Sequence, residues 1–310
     1  MKIIALGSYA LGKYYRLRRP KDLDVVIHFD DLVEFKDKFK LVSLVPKSVT
    51  KFHGIDDAGF HYEIEVAGVD EESSTDLLYN LSYDYTVDEK GISIPPIELL
   101  YQIKLCHRFK FSPHFEKTRN DILFLDGLVY KVAQTCFDPF LEKRILETNK
   151  KTPNLKVSKD DFFIDVYGDV RQIVHDTIHL TQALQDEPAY EKFNVGQVEC
   201  SMPKFFELDE QVRLNAVFEE SATLAVERAL WPYWDKVDDK REYQAFKGSL
   251  QRLCCHISSG KFRQYAWENY GNVLAMYKKG DIVRRFKEGL ENGTIKFQDE
   301  ETDSKSLETA

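Results

Sequence analysis

Two aspartates, Asp22 and Asp24, stand two residues apart in an apolar run near the start of the chain. Side chains alternate along a strand, so both carboxylates project from one face of the predicted strand. Two carboxylates this close repel each other unless a divalent cation lies between them. Mg²⁺ prefers such oxygen ligands and shares them with substrate phosphates. The pair therefore predicts a site for Mg²⁺ or Mn²⁺.

A Gly-Ser dipeptide precedes the pair and ends an earlier apolar run. Gly7 removes the side chain where a backbone must approach a phosphate, and Ser8 offers a hydroxyl and an N–H to its oxygens. The segment between the two motifs is basic and suits a polyphosphate or an RNA end; its cations are Lys13, Arg16, Arg18, Arg19 and Lys21. Together these residues predict a phosphate-binding turn beside a metal site.

A third carboxylate is expected from the alternating segment 60–67. Its polar positions, His61, Glu63 and Glu65, share one face of a predicted strand. Either glutamate can reach the aspartate pair from a neighbouring strand, and Glu65 is favoured over Glu63. The alternative is a surface strand whose glutamates are solvated.

Gly7-Ser8 followed by Asp22-Leu23-Asp24-Val25 resembles the signature of the nucleotidyltransferase superfamily, the polymerase β-like fold, and in particular its small bacterial and phage members. The resemblance implies transfer of a nucleoside monophosphate from a nucleoside triphosphate to an acceptor. Asp22, Asp24 and Glu65 (or Glu63) would then be catalytic, and Gly7 and Ser8 would bind the β- and γ-phosphates. The acceptor (an RNA end, a protein or a small molecule) and the choice among ATP, CTP, GTP and UTP stay open.

A helix is predicted from Pro95, which is tolerated in a first helical turn, through Leu105. The resemblance implies that Lys104 on this helix contacts the triphosphate, and that Lys117 and Asp121 help to shape the site. An inserted segment, 109–115, departs from the family pattern. The alternative for Lys104 is a lysine on a solvated helix face.

Length and composition predict two domains, and the resemblance together with the helical periodicity of the later chain implies an α+β fold. The chain has 310 residues, 43% of them hydrophobic, and a net charge of −9, which argues against a broad basic surface for nucleic acid. Residues 1–150 would form the catalytic domain, with a mixed sheet and helices in a core at about 1–95. Residues 151–297 would be mainly helical, and 298–310 a disordered tail.

The expected location is the cytoplasm. The five cysteines lack CxxC spacing and read as reduced thiols. No charged-then-apolar leader and no apolar run near twenty residues is present, so neither secretion nor membrane insertion is expected. The oligomeric state is left open.

A second candidate metal site lies in the predicted helix 170–185. His175 and His179 are four residues apart, a spacing that lets two imidazoles on one helix face reach one metal ion. With Asp176 they also resemble the HD phosphohydrolase domain, so a metal-dependent phosphohydrolase is one alternative function. A catalytically inactive protein of the same fold that binds a nucleotide or a partner is the other.

Overall fold

The computed structural model describes residues 1–15, 18–81, 85–110, 112–128, 138–150, 173–175, 190–193, 197–200, 204–256 and 260–297. The chain divides into two units, Met1–Thr152 and Pro153–Ala310, close to the predicted boundary at residue 150. A seven-stranded sheet lies in the N-terminal part and helices dominate the C-terminal part, which confirms the predicted α+β class. The predicted tail, 298–310, lies outside the described residues.

The first unit contains seven strands: β1 (Ile4–Ala5), β2 (Asp22–His28), β3 (Leu41–Ser48), β4 (Lys51–Asp56), β5 (His61–Ala67), β6 (Thr86–Val87) and β7 (Ser93–Ile94). Its described helices are α1 (Gly7–Tyr14), α2 (Leu32–Lys38), α3 (Ser74–Asn80), α4 (Ile97–Cys106), α5 (Phe115–Asp126) and α6 (Asp138–Lys150), with a 3₁₀ turn at Phe29–Asp31.

The strands form one mixed sheet in the order β3-β4-β5-β2-β1-β7-β6. The central pair, β2 and β5, is parallel, and so is β1 with β7, while the other neighbours are antiparallel. Parallel neighbours need a crossover connection. Between β2 and β5 that connection is the segment 29–60, which holds α2 and the β3–β4 hairpin.

One face of the central strands is wholly apolar. It carries Leu23, Val25 and Ile27 of β2 and the matching positions of β5, all at most 6% exposed. Phe35 of α2 packs edge-on against Tyr62 of β5 on this face. The period-2 pattern in the sequence is therefore the burial pattern of the sheet.

The opposite face is divided between core and site. Val26 of β2 packs into an apolar cluster to which α3, α4 and α6 contribute Leu78, Leu99, Ile103 and Phe140. Asp22 and Asp24 lie an even number of residues from Val26, so their side chains share its face. Glu63 lies on the same face, because it is two residues from Glu65, which is opposite Val26. The helices thus cover one part of the face, and the carboxylates occupy the other.

The second unit is described by itself. Its helices are α7 (Lys204–Glu207), α8 (Glu210–Ala225), α9 (Asp239–His256), α10 (Gly260–Glu268), α11 (Tyr270–Ala275) and α12 (Asp281–Glu291), with a π-helical turn at Val226–Leu230 and a 3₁₀ segment at Trp231–Lys236. The described residues from 204 onward are mainly helical, as the sequence predicts for this part of the chain. None of the helices in the described ranges is long and apolar enough to span a membrane.

Four short strands of the second unit pair in two antiparallel ladders: β8 (Ile173–His175) with β11 (Ile295–Phe297), and β9 (Tyr190–Phe193) with β10 (Gln197–Cys200). The helix predicted over 170–185 is wrong at Ile173–His175, because this segment is extended and pairs with residues more than a hundred positions away. The local pattern of a sequence contains no information about a pairing partner so distant along the chain.

Candidate functional site

Three carboxylates share one face of the sheet, beyond the part where the apolar cluster around Val26 packs. Strands β2 and β5 are in register, with Asp22 opposite His61 and Asp24 opposite Glu63. Residues directly opposite on neighbouring strands share a face. Asp22, Asp24 and Glu63 therefore converge near the N-terminal ends of both strands, and we call them the carboxylate trio.

The Gly-Ser turn is built against this trio. Gly7 has φ +59°, in the left-handed region, and a Cβ on it would lie 1.8 Å from Oδ2 of Asp24. The Leu6 N–H also donates to the Asp24 carbonyl oxygen at 2.8 Å. Only glycine leaves room for this carboxylate and adopts this backbone without strain. The two sequence motifs therefore meet at one point, with Ser8 beginning α1 beside it.

The Asp24 carboxylate carries an electrostatic penalty. Burial, followed by repulsion from Asp22 and Glu63, raises its pKa to about 6, although the positive charges of Lys117 and Lys104 act in the opposite direction. A carboxylate in this state is stabilised by any further cation that reaches it. The oxygen donors of the trio fit Mg²⁺ or Mn²⁺ in their chemistry.

Glu65, the favoured third carboxylate, is occupied elsewhere, and this corrects the sequence-based preference. Arg144 of α6 donates to both of its carboxylate oxygens, at 2.9 and 3.2 Å, and Lys51 of β4 also pairs with it. The Thr75 hydroxyl donates to it at 3.0 Å. Burial alone would raise the pKa of Glu65, but the charges of Arg144 and Lys51 outweigh burial and hold it well below its usual range. Glu63 is therefore the glutamate of β5 that stays in register with the aspartate pair.

A basic cluster lies on the helical side of the trio. Lys104 of α4 pairs with Asp121 of α5 at 2.9 Å, and Arg18 contacts both oxygens of the same carboxylate at 2.6 Å. Burial alone would raise the pKa of Asp121, but the Arg18 hydrogen bond and the Lys104 charge lower it. The Lys104 side chain is only 14% exposed, so it is not a lysine on a solvated face. Lys117, also on α5, is close enough to influence Asp24.

Of the other predicted basic residues, the structure brings few to the site. Lys21 is exposed immediately before β2. Lys13 pairs with Asp88 at 3.0 Å, and Arg16 lies outside the described residues. Only Arg18 reaches the Gly-Ser turn, where it donates to the Ser8 hydroxyl at 3.3 Å.

The second candidate metal site loses its geometric basis. His175 ends strand β8, so the helical spacing that would align it with His179 does not apply at this residue. Asp176 and His179 lie outside the described residues. Throughout the described ranges, no group of three or more His, Cys, Asp and Glu side chains is already assembled as a metal site.

Sequence reasoning missed two features beside the trio. The first is the histidine pair His53–His61, whose ring nitrogens Nε2 and Nδ1 are 3.0 Å apart. The alternation of β5 places His61 on the face of Glu63, but the position of His53 requires the β4–β5 register. The second is the bond from Arg18 to Ser8, which joins a residue beyond the C-terminal end of α1 to the first turn of that helix. No local pattern distinguishes Arg18 from its basic neighbours.

A family model described as "Domain of unknown function (DUF7275)" matches residues 99–286. The match covers more than half of the chain, so the protein belongs to this family. The matched range includes Lys104, Lys117 and Asp121, whereas the carboxylate trio and the Gly-Ser turn precede it. No curated protein sequence matches the chain.

Proposed function

We propose that this member of the DUF7275 family is a Mg²⁺-dependent nucleotidyltransferase that transfers a nucleoside monophosphate from a nucleoside triphosphate to an acceptor. The observation that carries the proposal is the seating of the Asp24 carboxylate against Gly7, with Glu63 opposite Asp24. This contact supports the proposal, because it would set a phosphate-binding turn beside a group of hard oxygen ligands. If these residues had only a structural role, apolar side chains would fill it better, because burying carboxylates costs free energy.

Asp22 and Asp24 would hold the metal ion, and Glu63 is the nearest further carboxylate in register. When bound, Mg²⁺ neutralises charge that develops on the transferring phosphate and on the leaving pyrophosphate. The raised pKa of Asp24 supports this role, because a cation would offset the penalty that burial and Asp22 place on its ionised form.

The triphosphate would lie over the Gly-Ser turn. Gly7 holds this turn against the Asp24 carboxylate, and Ser8 follows it in the same turn. Lys104 and Lys117, whose charges already act on Asp24, would offset the negative charge of the phosphates. The site therefore supplies carboxylates for a metal ion on one side and cations for phosphate on the other.

In the transfer step, the acceptor oxygen attacks the α-phosphorus in line with the leaving group. A new P–O bond forms while the bond to pyrophosphate breaks, and pyrophosphate leaves with the electron pair. Glu63 would take the acceptor proton on a carboxylate oxygen. Glu65 is not available for this role, since both of its oxygens are bound by Arg144.

The test incubates purified protein with each of the four α-³²P-labelled nucleoside triphosphates and Mg²⁺ or Mn²⁺, with and without cell lysate. Asp24→Asn is the site variant, and Asp57→Asn, an exposed aspartate in the β4–β5 turn, is the matched control. We expect label to move onto protein, RNA or a small molecule with the wild type and with Asp57→Asn only.

Equal labelling by Asp24→Asn would overturn the proposal. Nucleotide binding without transfer in every fraction would also overturn it, and would favour an inactive member of this fold that binds a nucleotide or a partner protein. Calorimetry of each nucleotide on the same preparations separates these two outcomes.

A further inference from the structure

We propose that Arg18 is a phosphate-binding residue at the Gly-Ser turn and that the buried carboxylate of Asp121 positions it. The inference rests on the proposed function and names the part of that site which receives the terminal phosphates. It follows from a chain of contacts that runs from Ser8 through Arg18 to Asp121 and then to Lys104.

The first step is the geometry of the guanidinium. Nη1 and Nη2 of Arg18 each donate to one oxygen of Asp121 at 2.6 Å, which is the two-pronged arrangement that fixes the plane of an arginine. A second N–H of Nη2 reaches Ser8 Oγ at 3.3 Å. These bonds use three of about five donors that a guanidinium carries, so two are left for an incoming anion.

The second step concerns the Ser8 hydroxyl. Its oxygen accepts from Arg18, so its own hydrogen is directed elsewhere and can be donated to a phosphate oxygen. Arg18 and Ser8 would then present N–H and O–H groups to the same ligand. A guanidinium suits this task because it keeps its positive charge and holds its remaining N–H donors in a fixed plane.

The third step is burial. The Asp121 side chain is 1% exposed, whereas Arg18 is 34% exposed. A phosphate therefore reaches Arg18 without displacing Asp121. Asp121 also binds Lys104 at 2.9 Å, so one buried carboxylate orders two cations at the edge of the site. This is the arrangement of a positioning residue, which acts on the ligand through the cations that it holds.

The experiment measures binding of inorganic tripolyphosphate to the purified full chain by calorimetry at constant ionic strength. Arg18→Ala should weaken binding by about tenfold or more, the value of a charge-assisted hydrogen bond. Lys36→Ala, which removes a positive charge from an exposed position of α2, should change it by less than about twofold. Arg18→Lys should fall between them, because it keeps the charge and loses the planar donors.

Asp121→Asn gives the sharper result. Removing a negative charge would tighten anion binding if only net charge mattered, whereas loss of the positioning group should weaken it by about fivefold. A circular dichroism spectrum of the Asp121→Asn variant is the control for correct folding. In steady-state transfer, Arg18→Ala should raise KM for the nucleotide more than it lowers kcat.

Wild-type-like binding by Arg18→Ala, or no tripolyphosphate binding by the wild type, overturns the inference. Tighter binding by Asp121→Asn overturns the role of Asp121. These failures are distinguishable from failure of the proposed function: an Arg18-dependent polyphosphate site without any transfer refutes the enzyme and leaves the site, and transfer without Arg18 dependence does the reverse.

Discussion

Glu63 and Glu65 lie on one strand, on one face, two residues apart, and the structure gives them opposite surroundings. Glu63 stands opposite Asp24 in an acidic group. Glu65 is only 15% exposed in its side chain and is held by Arg144, Lys51 and Thr75. The same residue type on the same face is therefore a candidate ligand at one position and a structural ion pair at the next.

The difference comes from what packs over each end of the strand. Helix α6 brings Arg144 over Glu65, and the Ser74 N–H and hydroxyl on α3 bind Glu147 of the same helix at 2.8 and 2.7 Å. At the end of the strand that carries Glu63, the cations Arg18 and Lys104 are paired with Asp121. A carboxylate is available for a metal ion only where the fold has left its charge uncompensated.

The largest expected effect is at the acidic end. Asp24→Asn should lower transfer by roughly 1,000-fold or more, since it removes a ligand whose charge acts on the transition state. The free energy of unfolding at pH 7 without metal should stay the same or rise, because burial disfavours ionised Asp24. Labelling assays and urea unfolding in EDTA measure the two effects. If Asp24→Asn were active but less stable than the wild type, Asp24 would have a structural role like that of Glu65, which contradicts the prediction.

Gly7→Ala tests the contact that sets the position of Asp24. The new Cβ would lie 1.8 Å from Oδ2 at φ +59°, so the carboxylate or the backbone must move. A displacement near 1 Å at a reacting group lowers the rate by about 100-fold. Gly12→Ala in α1, where a Cβ meets nothing within 4 Å, is the matched control. Transfer by Gly7→Ala at the wild-type rate would contradict the tight packing of the turn.

The pair Glu65→Gln and Glu63→Gln compares the two ends directly in stability. Glu65→Gln leaves Arg144 buried without its counter-charge and should cost about 3 kcal/mol of unfolding free energy. Glu63→Gln should change it by less than about 0.5 kcal/mol while lowering transfer. Chemical denaturation measures both. A reversed order of stability would show that Glu63, and not Glu65, is the structural glutamate.

The pH dependence sharpens the same contrast with a smaller effect. Because the folded-state pKa of Glu65 lies below its ordinary value of 4.5, the unfolded chain binds the proton more readily. The stabilisation is complete well above pH 4.5 and is lost as the pH falls towards the folded-state pKa. The stability gap between wild type and Glu65→Gln should shrink by up to about 1.4 kcal/mol per pH unit below 4.5. Urea unfolding from pH 7 to 3 tests this; a constant gap contradicts it.

The local elements of the first unit could be predicted from the sequence, and the choice between the two glutamates could not. Alternation places Glu63 and Glu65 on one face, which the structure bears out. The partner of Glu65, however, comes from Arg144, 79 positions away along the chain. The sequence predicts a close approach of Gly7 to a phosphate but not to Asp24, because it does not give the distance between α1 and β2.

At His175, by contrast, a local sequence pattern predicts a helical metal site where the structure has a strand. The i, i+4 spacing of His175 and His179 is meaningful only on a helix. Strand β8 forms because β11 offers it a ladder, and that partner lies near the far end of the described chain. Period-based reasoning works where an element's own face decides its structure, as in the apolar face of β2.

The register of β2 with β5 has a consequence for how this chain can vary in length. Seven consecutive pairs, from Asp22–His61 to His28–Ala67, lock the two strands together. One residue inserted within either strand would turn the following side chains to the opposite face and separate the trio. The crossover between them, residues 29–60, carries no member of the trio. Insertions and deletions in the turns of this segment, outside the strand β4 that pairs with β5, are expected to leave the carboxylates in place, so homologues are expected to differ in size there and to keep the two strands uninterrupted.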